Sequence, residues 1–175
     1  MACESLDGGI TLGCDNNIGG IKKIYLTEKS NVTSTSLSSP GNEISSFTMA
    51  GSPAAVFYEF EFNKNTSSYT EELASDQATG RDLYTQTLNL VLNRREKTKR
   101  DTLLLLAKRK DLVAIVTDNN DINWYFGAGY GLNLTTNTGG SGVAKTDANQ
   151  YVLTFVGEES EPANTVTDAA LAAVI

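Results

Sequence analysis

The feature that most restricts how this 175-residue chain can fold is a period-two alternation of apolar and polar residues. It is clearest over residues 54–63, where Val56, Tyr58, Phe60 and Phe62 alternate with Phe57, Glu59 and Glu61. It recurs over 83–93, where Tyr84, Leu88, Leu90 and Leu92 share a parity, and over 150–157, where Tyr151, Leu153 and Phe155 do. Successive side chains of a strand point to opposite faces, so each pattern predicts a strand with one buried face. In 54–63 the aromatic face is expected inside and the carboxylates outside. Further strands are expected over 21–27, with Ile24 and Leu26 on one face and Tyr25 on the other, and over 43–49, 66–73, 112–117, 122–126 and 132–136.

The rest of the chain divides around these strands. Residues 1–20 read as an N-terminal arm or loop. Residues 30–42 and 137–147, rich in Ser, Thr, Asn and Gly, read as loops. Residues 64–93 read as a long hairpin arm with a polar tip, and such an arm exposes strand edges unless another copy covers them. One helix is expected, over 95–110, where Leu103 to Ala107 contains no β-branched residue and basic side chains flank it. Residues 162–175 are expected to form a C-terminal arm or a short terminal helix. The whole reads as a single domain over 1–175, mainly β.

Composition narrows the chemistry. The chain has no histidine, which removes the usual general base near neutral pH and the commonest transition-metal ligand. Glu71-Glu72 and Asp118/Asp121 supply carboxylates, but no motif positions two of them for acid–base work. No catalytic, cofactor-binding or metal residues are therefore expected, and no enzyme. The turn Asp118-Asn119-Asn120-Asp121 lacks the alternation of a calcium loop. The run Gly127-Ala128-Gly129-Tyr130-Gly131 follows a strand but precedes none of the helix a phosphate cradle needs, and reads as a glycine-assisted bend. No apolar run approaches the ~20 residues of a membrane span.

Charge is unevenly placed. Net charge is −7, yet Arg94, Arg95, Lys97, Lys99, Arg100, Lys108, Arg109 and Lys110 fall in one 17-residue window with only Glu96 and Asp101 as acids. Aromatics are not interleaved with these cations, as stacking on nucleic acid requires. A positive patch on a negative chain suits contact between copies. The candidate subunit-interface residues are Arg94, Arg95, Lys97 and Arg100, with Tyr69 on the hairpin and the acidic patch Glu158, Glu159 and Glu161.

The order of several short motifs resembles the tail-tube-like structural proteins of tailed bacteriophages. They are Gly13-Cys14, Gly19-Gly20-Ile21-Lys22 running into Ile24-Tyr25, and Phe126-Gly127. Gly131-Leu132 with Leu134-Thr135, Gly142 before Asp147, Tyr151-Val152-Leu153-Thr154-Phe155, and the closing Gly157, Glu159 and Pro162-Ala163-Asn164 complete the set. Asp121 departs from it, since Gly is expected in that hairpin turn. The resemblance implies an antiparallel β-sandwich or partial barrel with one flanking α-helix. It implies a homo-oligomeric ring, hexameric in that family, and stacked rings forming a tube in the virion after assembly in the host cytoplasm. The partners it implies are further copies, other tail or neck proteins, and phage DNA passing through the lumen without specific binding. Glu59, Glu61, Glu71 and Glu72 are the lumen-facing candidates. Two other readings stand beside it: a tail-ring, neck or baseplate-proximal protein of the same fold, and a carbohydrate-binding β-sandwich using Trp124, Tyr125 and Tyr130.

Overall fold

The computed structural model describes residues 9–10, 13–39, 43–76, 78 and 80–175. The strands are β1 (Ile21–Glu28), β2 (Val32–Leu37), β3 (Ile44–Met49), β4 (Tyr58–Glu59), β5 (Ser68–Asp76), β6 (Arg81–Asn93), β7 (Leu112–Asp118), β8 (Asn123–Phe126), β9 (Asn133–Gly140), β10 (Gln150–Glu159) and β11 (Asn164–Val166). Helix α1 (Lys97–Lys108) joins β6 to β7, and α2 (Asp168–Ala172) follows β11. Two sheets form: a seven-stranded one, ordered β2-β3-β11-β8-β7-β1-β4, and a four-stranded one, ordered β5-β6-β10-β9. The chain is mainly β, as the alternation predicts. No helix among the described residues is long and apolar enough to cross a membrane.

The main core lies between the sheets. Ile24, Leu26, Leu112, Ala114, Val116 and Phe126 from the larger sheet meet Leu88, Leu90, Leu92, Leu153 and Phe155 from the smaller one. Leu103 and Leu106 of α1, three residues apart on one helix face, enter the same core. The odd residues of β7 face a second core: Val113 and Ile115 pack with Tyr25, Ile44, Phe57, Tyr125, Val166, Ala170 and Val174. All seven residues of β7 are buried, which explains its continuous β-branched run. Burying each large apolar side chain contributes about 1.5–3 kcal/mol, so this two-faced strand anchors the fold.

The larger sheet is strongly curled. A three-residue 3₁₀ turn (Lys29–Asn31) is all that separates β1 from β2, yet the two strands stand at nearly opposite ends of the sheet order. The sheet must bend back on itself for so short a connection to span them, and the second core fills the resulting concavity. The Phe47 ring sits 5.2 Å from Tyr125 and 5.7 Å from Phe57 across it.

Several expectations are corrected. Residues 54–63 do not form a long strand: only Tyr58–Glu59 pairs, with Tyr25 and Leu26 of β1. The backbone N–H of Phe57 donates to the Val174 carbonyl and that of Phe60 to Ile24, so the segment divides its hydrogen bonds between two elements. Phe57, assigned to the outer face, is buried, while Tyr58 is 64% exposed. Phe60 and Phe62 do pack on the main core. Within the expected loop 30–42, Val32–Leu37 is a strand paired with β3, its Thr and Val residues suiting extended backbone; Pro40-Gly41 lies outside the described residues. The expected loop 137–147 starts late, because β9 stays paired with β10 through Gly140. The helix spans Lys97–Lys108, leaving Arg95 and Lys110 outside it.

The C-terminal stretch is no arm. β11 pairs with β8 across Asn164↔Tyr125 and Val166↔Asn123 and touches β3 in parallel at Ile44. Thr167 caps α2 by accepting a hydrogen bond from the Ala170 N–H at 3.2 Å, and Ala170 and Val174 are buried. Residues 13–20 carry no regular structure, and 1–8 lie outside the described residues.

Candidate functional site

The hairpin expected over 64–93 is present as β5 and β6, paired from Ser68↔Asn89 to Asp76↔Arg81. β10 joins β6 only from Tyr84 onward, so the pairs Ala74↔Leu83, Ser75↔Asp82 and Asp76↔Arg81 project beyond the sheet as a two-stranded ribbon. One face of the four-stranded sheet is core. The register sets Thr70, Thr87, Val156 and Asn133 in one row of the opposite face, and Ser68, Asn89, Thr154 and Thr136 in the next. The Thr154 hydroxyl donates to Asn89 Oδ1 at 3.0 Å within it. This outer face is hydroxyl- and amide-rich and nearly uncharged. Its carboxylates, Glu72 and Glu158, flank Thr85 in one row near the hairpin end.

The four lumen-facing candidates separate. Glu72 lies on the outer face, but Glu71, its neighbour, points inward, because adjacent strand residues take opposite faces. Glu71 Oε1 accepts hydrogen bonds from Gln86 Nε2 and from the Ala163 N–H, at 2.9 and 2.8 Å. Buried Gln86 in turn accepts from the Gly127 N–H at 2.9 Å, so Glu71 is a structural tie between the hairpin, the C-terminal connection and the glycine loop. Glu59 and Glu61 are exposed but stand at the edge of the other sheet, and Glu59 pairs with Lys23 at 3.6 Å. Glu59 thus belongs to a different sheet from Glu72.

The interface candidates also divide. Tyr69 is half-buried, its ring 5.2 Å from Phe126 and 6.5 Å from Trp124, and it belongs to the core margin. Burial there, with the charges of Asp118 and Glu71, raises its phenol pKa. Glu159 is 4% exposed and leaves the acidic patch, whereas Glu158 and Glu161 stay on the surface. Arg94, Arg95, Lys97 and Arg100 are exposed around the start of α1. Arg95 lies over the Tyr151 ring at 5.3 Å, and Lys97 and Arg100 share Asp101. Lys99 pairs with Glu96, whose carboxyl it holds below the usual range, and Arg109 pairs with Glu28. The basic window is thus partly neutralised from within. Even so, α1 begins with no side-chain cap and no acidic residue in its first turn, an unusual concentration of positive charge at the positive end of a helix dipole.

The role of Glu159 has no period or charge run to announce it. Its carboxylate accepts hydrogen bonds from the backbone N–H groups of Gly129, Tyr130 and Gly131, at 2.8, 2.8 and 3.3 Å. The glycine run is therefore a bend, with Gly127 and Gly131 at positive φ, and also a backbone cradle for an anion that the chain fills itself. A Cβ at Gly129 would collide with that carboxylate. Lys29 Nζ donates to the Gly129 carbonyl and closes the loop from outside.

The turn 118–121 has a comparable structural use. Asp118 Oδ1 accepts from the N–H groups of Asn120 and Ile122, and its Oδ2 from Trp124 Nε1. Asn119 and Asn120 donate to the Gly19 and Ile18 carbonyls, and Lys22 pairs with Asp121 at 2.5 Å, so the turn clamps the segment entering β1. Asp121 takes φ +63°, the conformation for which glycine was expected. Trp124 and Tyr125 point to opposite faces, with Tyr125 buried, so no aromatic platform forms with Tyr130.

A cleft of about 820 Å³ runs between α1 and residues 58–63, floored by Leu26, Phe60, Phe62, Leu103 and Leu106 and edged by Glu28, Glu61, Lys99 and Arg109. Comparison with protein-family models, curated proteins and solved structures returns no match.

Proposed function

We propose that this chain is a non-catalytic virion structural subunit that closes into rings through the two edges of its four-stranded sheet, the rings stacking into a phage tail tube. One observation carries the reading. β5 and β9 are the outer strands of one sheet, they run in opposite directions, and no strand pairs with their outer sides among the described residues. Copies related by rotation about an axis along the strands would set β9 of one beside β5 of the next in antiparallel pairing. β9, with sequence NLTTNTGG, carries neither charge nor proline to discourage such pairing. Helix α1 does not obstruct it, since its buried leucines place it on the core side of the sheet.

Six copies, the number the resemblance implies, would give a closed sheet with a circumference of about 115 Å at ~4.8 Å per strand, hence a diameter of about 37 Å before strand tilt widens it. The outer face described above would line the bore. Across the four-stranded rows this hydroxyl and amide surface carries no cation, and Arg81, on the same face of the projecting ribbon, stands opposite Asp76; so little counterion release suits passage without retention. This differs from a wholly acidic lining: only the Glu72–Glu158 row is negative. A ring that stops at one layer, as in a neck or tail-ring protein, uses the same edges.

The test is to place a lysine at each seam. Thr70→Lys with Thr136→Lys, both on exposed outer-face positions, should yield folded monomers with an unchanged melting temperature in place of rings. Rings that persist in the double variant would refute edge pairing.

A further inference from the structure

The cleft between α1 and residues 58–63 is built like a groove that receives a strand. Its floor is apolar: Leu26, Leu103 and Leu106 are buried, and Phe60 and Phe62 pack on the same core. Its volume, about 820 Å³, falls in the range of sites that enclose a ligand. One wall is a sheet edge. Just past β4 the Phe60 N–H donates to the Ile24 carbonyl, so by the alternation of an antiparallel pair the N–H and C=O of Glu59 point away from β1. β4 is the last strand of its sheet, and no strand takes up those groups among the described residues. The other wall is α1, which lines the cleft from Thr98 to Arg109. That distance is about 16 Å at ~1.5 Å per residue, the reach of about five residues of extended chain. Tyr58 on one wall and Leu105 on the other are both more than half exposed.

We propose that this groove binds an extended segment of a partner polypeptide, added as a further strand along β4 and carrying apolar and basic residues in alternation. The guest backbone meets the free groups of Glu59, and its apolar side chains face the floor. Charge selects the alternate positions. Of the acids at the rim, Glu28 pairs with Arg109 and Glu59 with Lys23, while Glu61 is exposed and has no ion pair among the described residues. The rim cations are already matched, Lys99 by Glu96 and Arg109 by Glu28. The unmatched charge is therefore negative. Glu61 alternates with Phe60 and Phe62, so its complement is a cation on the side of the guest that faces away from the floor. Among the described residues, no exposed stretch of this chain alternates apolar with basic residues, which points to a different polypeptide and not a second copy. β4 belongs to the larger sheet, so the groove is separate from the β5 and β9 edges and goes beyond self-assembly.

The experiment titrates the full chain with a fluorescein-labelled peptide, Val-Lys-Val-Lys-Val, and reads fluorescence anisotropy. Saturable binding is expected. Leu105→Glu, on the exposed helix wall, should weaken it about tenfold with an unchanged melting temperature, and methylating the peptide's backbone nitrogens should weaken it as much. Glu61→Lys should weaken it too, and should let Val-Glu-Val-Glu-Val bind where the parent chain does not. No saturation up to about 1 mM peptide would overturn the proposal, as would binding indifferent to Leu105→Glu. Methylated peptide that binds equally well would show simple apolar contact in place of strand addition. Peptide that binds only after assemblies are dissociated would mean that another copy fills the groove, and would overturn the partner.

Discussion

Glu159 shows how a single side chain can hold two parts of this fold together. Its three N–H donors lie about thirty residues earlier in the chain, on the loop between β8 and β9, while Glu159 ends β10. Glu159→Ala leaves a buried donor at Gly131 and part-buried ones at Gly129 and Tyr130 unmatched, and should cost about 1–3 kcal/mol in denaturant unfolding; Glu159→Gln keeps an acceptor and should cost less. Equal small losses in both variants would mean that water replaces the carboxylate freely. Nearby Tyr125 offers a second probe. Burial, and then the Glu159 charge, raises its phenol pKa well beyond the ordinary tyrosine range. A raised folded-state value favours the neutral form. The stability it contributes is therefore fully present below the unfolded tyrosine pKa near ~10 and lost as pH rises toward the folded value. Alkaline ultraviolet titration should find Tyr125 ionising only on unfolding; Tyr125 ionising while the fold is intact would contradict its burial. Neither role was legible in the sequence, because backbone N–H groups leave no residue signature and the acidic cluster 158–161 reads as a solvated patch.

Among the elements, those whose neighbours run their full length were readable. β6 and β10 pair over ten consecutive positions, so their parity survives intact from Leu88 to Leu92 and from Tyr151 to Phe155. The helix was readable from its leucines, of which Leu103 and Leu106 are buried and Leu104 and Leu105 are not. Residues 54–63 misled, since a local period cannot reveal that Phe57 is claimed by the second core and Phe60 by the first. β2 and β11 were missed for the converse reason: short, polar strands are made by the partner that receives them. The four lumen candidates separate at the same scale. Glu71 and Glu72 could not share a face once they lay in one strand, and only pairing with Gln86 shows which of them turns inward.

At the scale of the whole molecule, the unmet needs point outward. Among the described residues, the smaller sheet ends on both sides in strands with no outer partner, the end of the β5–β6 ribbon pairs with no third strand, and the helix after β6 starts without a side-chain cap. The proposed ring closure would give each of those two sheet edges the other edge of a neighbouring copy as its partner. Negative-stain electron microscopy of the purified chain is the most direct test. Annular particles with a central hole, alone or stacked into tubes, are the expected images. Fields of single compact particles at every protein concentration and salt level would contradict self-closure.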